Sequence, residues 1–227
     1  VALSVFLFGG AIYYVFKLFN YQVDFIYCLL FGALVSPTDP IAVLRILKDS
    51  SMPKEINVVV SGESLFNDGM GVVFFLTIYK VVEKGLENLS ASDVFLLFGR
   101  EVFGGLVLGL AVGYVALQII KRINHYQTEV MISIALIMIC DEVAVFTHVS
   151  GPLAAVVVGL YLGNKVRHSV MSDTSREYHD KFWELVDEFL NALLFMLIGL
   201  QMVLLPFITQ YIIIGIIGII ILLVCRY

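Results

Sequence analysis

The chain has 227 residues, of which 60% are hydrophobic and only 15% are charged, against about 45–50% and about 25% in an ordinary soluble domain. The 14 basic and 19 acidic side chains give a formal net charge of −5, and 17 residues are Phe. This excludes a disordered chain, a nucleic-acid binder with a basic face and a disulfide scaffold, and points to an integral membrane protein.

Cys28, Cys140 and Cys225 all sit inside apolar runs and read as small core hydrophobes rather than a redox or zinc set. The chain starts at Val1 and stops at Tyr227 within an apolar stretch, as expected of a piece of a longer protein. A bilayer core about 30 Å thick needs roughly 20 apolar helical residues. In chain order, the segments that meet or approach this are 2–19, 23–47, 56–79, 94–120, 130–149, 151–163, 182–205 and 207–226. None alternates strictly, so barrel strands are disfavoured and the fold class is all-α and polytopic.

If the segments alternate across the membrane, nine Lys and Arg fall in the connections after segments two, four and six. Only three, Lys17, Lys80 and Lys84, fall in the others. The positive-inside bias makes the first side cytoplasmic. The polar stretch 164–181 is then a cytoplasmic connection whose His168 and His179 read as solvated loop residues.

Charges within spans mark functional candidates. Segment two contains Ser36-Pro37-Thr38-Asp39-Pro40. Pro37 and Pro40 each remove a backbone donor and disfavour helix just before the ring. The expected result is an interrupted helix at 36–40 that exposes carbonyls and the Asp39 carboxylate to a polar cavity, as at ion sites of secondary transporters. The plainer reading is a kink with Asp39 satisfied by a neighbouring group.

Segment three contains Ser61-Gly62-Glu63-Ser64-Leu65-Phe66-Asn67-Asp68-Gly69. Ser64 and Asp68 are four apart and share a helical face, with Glu63 and Asn67 on the adjacent stripe. Gly62, Gly69 and Gly71 permit close approach of another helix. Such an oxygen-rich face suits a hard cation such as Na⁺; the plainer reading is a helix end with its acids in water. Arg100-Glu101 reads as a boundary or an interhelical pair, and Asp141-Glu142 as an acidic outer vestibule. Trp183 suits a belt position, and Asn191 can hydrogen-bond across helices.

The motifs at 36–40 and 61–69, together with Val149-Ser150-Gly151-Pro152-Leu153-Ala154 and Leu190-Asn191-Ala192-Leu193-Leu194-Phe195, resemble the first cation:proton antiporter family. The likeness is to its NhaP-type bacterial sodium/proton antiporters, relatives of animal sodium/proton exchangers. It covers nearly the whole chain. It implies part of an inverted-repeat antiporter fold with a mobile core and a dimer-forming scaffold, in a multi-pass protein of the cell membrane.

By the same resemblance, Asp68 is the carboxylate exchanged between cation and proton, and Asp39, Ser64 and the Thr38 backbone help to hold the cation. Asn67, in place of a second Asp, implies electroneutral exchange. Glu63 and Asn67 stabilise the core, with Glu63 paired to an arginine of a later helix that this chain lacks; Arg226 belongs to an earlier position. Residues 1–80 then form part of the ion-handling core, 81–205 the scaffold and dimerisation helices, and 206–227 the start of the second half of the core.

The expected function is exchange of Na⁺, with Li⁺ a second substrate, for H⁺ at a shared carboxylate site by alternating access. The partners are a monovalent cation, the proton, the lipid bilayer and a second copy in a homodimer, with no cofactor and no nucleic acid. The rivals are a K⁺-preferring antiporter, a channel without proton coupling, and an intramembrane aspartyl protease using Asp39 and Asp68.

Overall fold

The computed structural model describes residues 1–37, 54–85, 90–123, 125–166, 172–205 and 208–226. Among these, all regular structure is helical: α1 (Ala2–Leu18), α2 (Phe25–Val35), α3 (Lys54–Lys84), α4 (Ala91–Ile120), α5 (Tyr126–Thr147), α6 (Gly151–Tyr161), a π-helical turn (Leu162–Val166), α7 (Asp173–Leu204) and α8 (Thr209–Arg226). Each apolar segment expected from the sequence overlaps one of these helices. Five are long and apolar enough to cross a membrane, and Ala2–Leu18, Phe25–Val35 and Gly151–Asn164 are shorter apolar helices. The architecture is that of an all-α, polytopic membrane protein.

The helix ends follow local chemistry. Ser90 caps α4, its Oγ accepting from the Ser92 N–H at 3.2 Å while its own N–H donates to Asp93 Oδ2 at 2.9 Å. Ser150 caps α6 by accepting from the Leu153 N–H at 3.3 Å, with Pro152 in the first turn, where a missing N–H costs nothing. Between them α5 closes on His148, whose φ of 56° turns the chain left-handed before α6.

Two boundaries differ from expectation. The stretch 164–181 is not loop throughout: α7 begins at Asp173 because Ser172 Oγ accepts from the Ser175 N–H at 3.2 Å. Its first turns are also tied by Asp173–Arg176 at 3.6 Å and Glu177–Lys181 at 2.6 Å. His179 is therefore a half-buried helical residue that accepts from Trp183 Nε1 at 3.2 Å; His168 lies outside the described residues. Lys80, counted above in an outward connection, lies inside α3, which runs to Lys84.

The helices pack in two groups. Phe8 and Ile12 of α1, Cys28 of α2 and Ile214 of α8 form one buried cluster, and α2 also packs on α3. Ala116, Leu117 and Ile120 of α4, Leu136 and Cys140 of α5, and Ala154 and Val158 of α6 form the other, with Leu162 at its edge. Helix α7 leans on α5, and α3 touches both α4 and α6. The apolar turns of α7 are exposed from Leu193 through Leu204, the surface expected of a helix meeting lipid or another protein.

Candidate functional site

Helix α3 carries the polar motif through its middle. Ser64 is buried, Asn67 is half-buried, and Glu63 and Asp68 are exposed. Asp68 thus stands on an open face of this chain. Gly71 lies three residues beyond Asp68 and seven beyond Ser64, so the three share one stripe of the helix. Of the glycines expected to admit a neighbour, Gly62 has nothing among the described residues within 4 Å of the Cβ it lacks, and a Cβ on Gly69 would make ordinary contact with Leu153 Cδ1 at 3.4 Å. A Cβ on Gly71 would overlap Pro37 Cγ outright. Of these three, only Gly71 is strictly required by the packing, and its partner is the first proline of the Ser-Pro-Thr-Asp-Pro motif.

The break and the polar helix therefore meet. Helix α2 ends at Val35, and Ser36-Pro37 form a bend after it, with the Pro37 ring against Gly71, at one end of the stripe that also bears Ser64 and Asp68. Thr38, Asp39 and Pro40 lie outside the described residues, as does the expectation that Asp39 approaches Asp68. Ser36 is 4% exposed, and its Oγ has no hydrogen-bond partner among the described residues, one residue before that ring.

Arg226, given no place in the site by the sequence reading, closes it from the far end of the chain. Its Nη2 donates to the carbonyl oxygens of Val35 at 3.0 Å, Ser36 at 3.1 Å and Pro37 at 2.8 Å. These carbonyls belong to the last turn of α2 and the bend, where helical acceptors go unmet and the helix dipole is negative. A guanidinium suits them because it offers several donors and never loses its charge. The signal is present in the sequence as a lone arginine ending the apolar helix Thr209–Arg226, since a cation at such depth must find acceptors.

Two further polar clusters lie away from this face. Glu101, 1% exposed on α4, takes Lys80 Nζ at 2.5 Å on one oxygen and Thr77 Oγ1 at 3.5 Å on the other. On α5, Glu129 and Ser133 are buried one turn apart. Trp183 Nε1 donates to Ser133 Oγ at 3.2 Å, which ties α7 to α5. Asp141 and Glu142 are exposed. Cys28 and Cys140 are buried free thiols and Cys225 is a half-buried one, in keeping with their reading as packing residues. Among the described residues, no cluster of three or more His, Cys, Asp or Glu side chains is placed to hold a metal ion.

Stacked apolar helices, a helix ended by a proline-bearing bend, and carboxylates and hydroxyls on the face it meets define a class: polytopic helical membrane proteins that handle charge inside their spans. A family model described as the transmembrane sodium/hydrogen exchanger matches residues 1–227. The chain belongs to the sodium/hydrogen exchanger family, a family of transporters rather than enzymes. It is 53% identical over 207 residues to the Na⁺/H⁺ antiporter NhaP of Pseudomonas aeruginosa, covering 91% of this chain and 49% of that protein. To the Na⁺/H⁺ antiporter NhaH of Halobacillus dabanensis it is 39% identical over 175 residues, 75% of this chain and 43% of that one. To sodium/hydrogen exchanger 7 of Arabidopsis thaliana it is 32% identical over 183 residues, 80% of this chain and 16% of that one. The chain thus spans about half the length, or less, of these curated relatives.

Proposed function

We propose that the full-length protein exchanges Na⁺, and Li⁺ as a second substrate, for H⁺ without net charge movement. Asp68 accepts either the cation or the proton. Asp39, Ser64 and the Thr38 carbonyl complete the cation's oxygen shell, Glu63 and Asn67 stiffen α3 around it, and Pro37 and Pro40 hold the chain open between them. The observation that carries this reading is the seating of Pro37 on Gly71. It sets the end of the broken segment against the stripe that bears Ser64 and Asp68, where a hard cation finds oxygen ligands. Arg226 supports it by offsetting the negative end of α2, so that the carboxylates govern the charge balance of the bound ion.

The two buried clusters, one of α1, α2 and α8 and the other of α4, α5 and α6, with α3 packed against both groups, support a division of labour. Residues 1–80 and 206–227 belong to the ion-handling core of an inverted-repeat fold, and 81–205 to a scaffold that pairs with a second copy in the bilayer. Movement of the core then opens the same site to each side in turn.

The test is Na⁺-driven pH change in vesicles holding the full-length protein, with Li⁺ and K⁺ in parallel. Proton movement with Na⁺ and Li⁺, unaffected by membrane potential, is expected. Movement with K⁺ alone makes the protein a K⁺ antiporter, and Na⁺ flux without proton movement makes it a channel.

A further inference from the structure

We propose that Glu101 is a positioning residue: it forms, with Lys80 and Thr77, the fulcrum on which the ion-carrying helix α3 turns. The inference rests on the exchange reading above, which requires α3 to move.

Glu101 belongs to both helix groups at once. Its carboxylate is 1% exposed, and each oxygen meets a donor from α3, Lys80 Nζ at 2.5 Å and Thr77 Oγ1 at 3.5 Å. Its backbone carbonyl accepts the N–H of Ser150, the residue that caps α6, at 3.4 Å. The preceding residue, Arg100, donates through Nη2 to the Thr147 carbonyl at 2.8 Å. By its main chain Glu101 is fixed to the α5–α6 turn, and by its side chain it grips α3.

The junction lies on the back of the ion helix. Thr77 is nine residues beyond Asp68, two and a half turns, and so points to the opposite side of α3. Glu101 therefore has no place among the cation's ligands. Parting this pair on every cycle would leave a charge unpaired in a medium that solvates it poorly, so the grip is one that persists while the rest of α3 moves. The contact between α3 and α6 nearer the site is of the other kind. Around Gly69 it consists of the methyl groups of Leu153 and Val156, at 3.4 and 3.8 Å from where a Cβ would stand, and apolar surfaces slide without losing a hydrogen bond. At ~1.5 Å per residue, Lys80 is ~18 Å along α3 from Asp68, so a swing of about 20° about the junction carries Asp68 by ~6 Å. A helix held at its outer end and loose in the middle is a lever, one of the hinge devices by which small rotations move a site.

Two variants of the full-length protein, assayed for Na⁺-driven proton exchange in vesicles, test this. Glu101→Gln keeps the shape and loses the charge. The expected result is a fall of about tenfold or more in maximum rate with the Na⁺ half-saturation held within about twofold, the pattern of a lost motion rather than a lost ligand. An unchanged rate, or a shifted half-saturation at unchanged rate, overturns the proposal. In a cysteine-free background, Phe74→Cys and Phe98→Cys replace two rings whose centroids lie 5.0 Å apart beside the junction. Bridging them with a short bis-maleimide is expected to leave exchange running, because α3 and α4 do not part there. Arrest on bridging overturns the fulcrum even if Glu101→Gln fails to fold. Failure of the unaltered protein to exchange Na⁺ for H⁺ overturns the exchange reading instead, so the two outcomes are distinct.

Discussion

Replacing Gly71 by alanine should separate the role of the helix break from the stability of the fold. Two carbons rest at about 3.5–4.0 Å, whereas the new Cβ would overlap Pro37 Cγ and lie 3.2 Å from Cδ and 3.4 Å from Cβ. At Cγ the shortfall from that resting distance exceeds ~1 Å. The proline ring cannot rotate out of the way because its φ is locked, and its carbonyl is held by Arg226 at 2.8 Å, so the bend itself must shift. Overpacking of this kind costs ~1–3 kcal/mol, and alanine in place of glycine within a helix returns about 1 kcal/mol. The net loss of ~0–2 kcal/mol leaves a folded protein with a modestly lower melting temperature. The proposed ion site fares worse, since its oxygens on the two sides of the bend must close together on one cation. The Na⁺ half-saturation of the full-length Gly71→Ala variant should rise about tenfold or more in vesicle exchange assays, equivalent to ~1.4 kcal/mol of lost cation binding. Gly10→Ala, with nothing among the described residues within 4 Å of the added carbon, serves as the control for helix propensity. A Gly71→Ala protein with wild-type half-saturation would refute the placement of the break against the Ser64–Asp68 stripe.

Asp68→Asn should abolish exchange while the purified protein keeps its melting temperature, since the exchangeable proton and the cation's counter-charge vanish together; residual wild-type exchange removes Asp68 from the mechanism. If Na⁺ and H⁺ compete for that carboxylate, Na⁺ titrations at a series of pH values should show the apparent half-saturation rising about tenfold, ~1.4 kcal/mol, per unit on the acid side with little change in maximum rate. A falling maximum rate at constant half-saturation points to a separate protonation switch instead. Arg226→Gln should lower both stability, by ~2 kcal/mol for the loss of a charged donor, and exchange. Arg226→Lys should recover part of both, because a single nitrogen, Nη2, meets all three carbonyls and an ammonium also carries three donors. Thermal unfolding alongside exchange would read both effects.

The helical, membrane-spanning character is legible in the sequence because it rests on run length and composition, which tertiary packing does not override. The meeting of the two motifs is legible in part. The Ser64–Asp68 spacing implies a shared face, and Pro37 announces a break, but that Gly71 rather than Gly62 receives a neighbour depends on where α2 ends in space. The extension of α7 back to Asp173 is hidden because a run of polar residues looks like loop, and the Ser172 cap and the i,i+3 and i,i+4 ion pairs that follow it are weaker signals. Lys80 is obscured for a similar reason: a lysine near the end of an apolar segment looks like a loop residue until its partner, 21 positions on, is known. Arg226 is harder still, because its acceptors are backbone carbonyls some 190 residues away, and carbonyls leave no trace in a sequence.

The glycines of α4 have a consequence for the way the helix stack can deform. Added Cβ atoms at Gly105 and Gly109 would fall 2.9 Å from the Ser150 carbonyl oxygen and 2.6 Å from that of Ala154, and one at Gly113 would meet the Tyr161 side chain at 3.0 Å. Each of the two oxygens thus occupies the notch left by a missing methyl, and the spacing of these notches is four residues on both helices. A displacement of α4 along α6 by anything short of a full turn, ~5.4 Å, would drive those oxygens into the side chains between the notches. The contact therefore has a register, like teeth in a rack, and resists shear while remaining indifferent to pH, salt and membrane voltage, because no charge takes part in it. Mutational tolerance should mirror this: Gly105 and Gly109, buried against the Ser150 and Ala154 carbonyls, should refuse even alanine, whereas lipid-facing positions of a membrane helix accept almost any apolar residue.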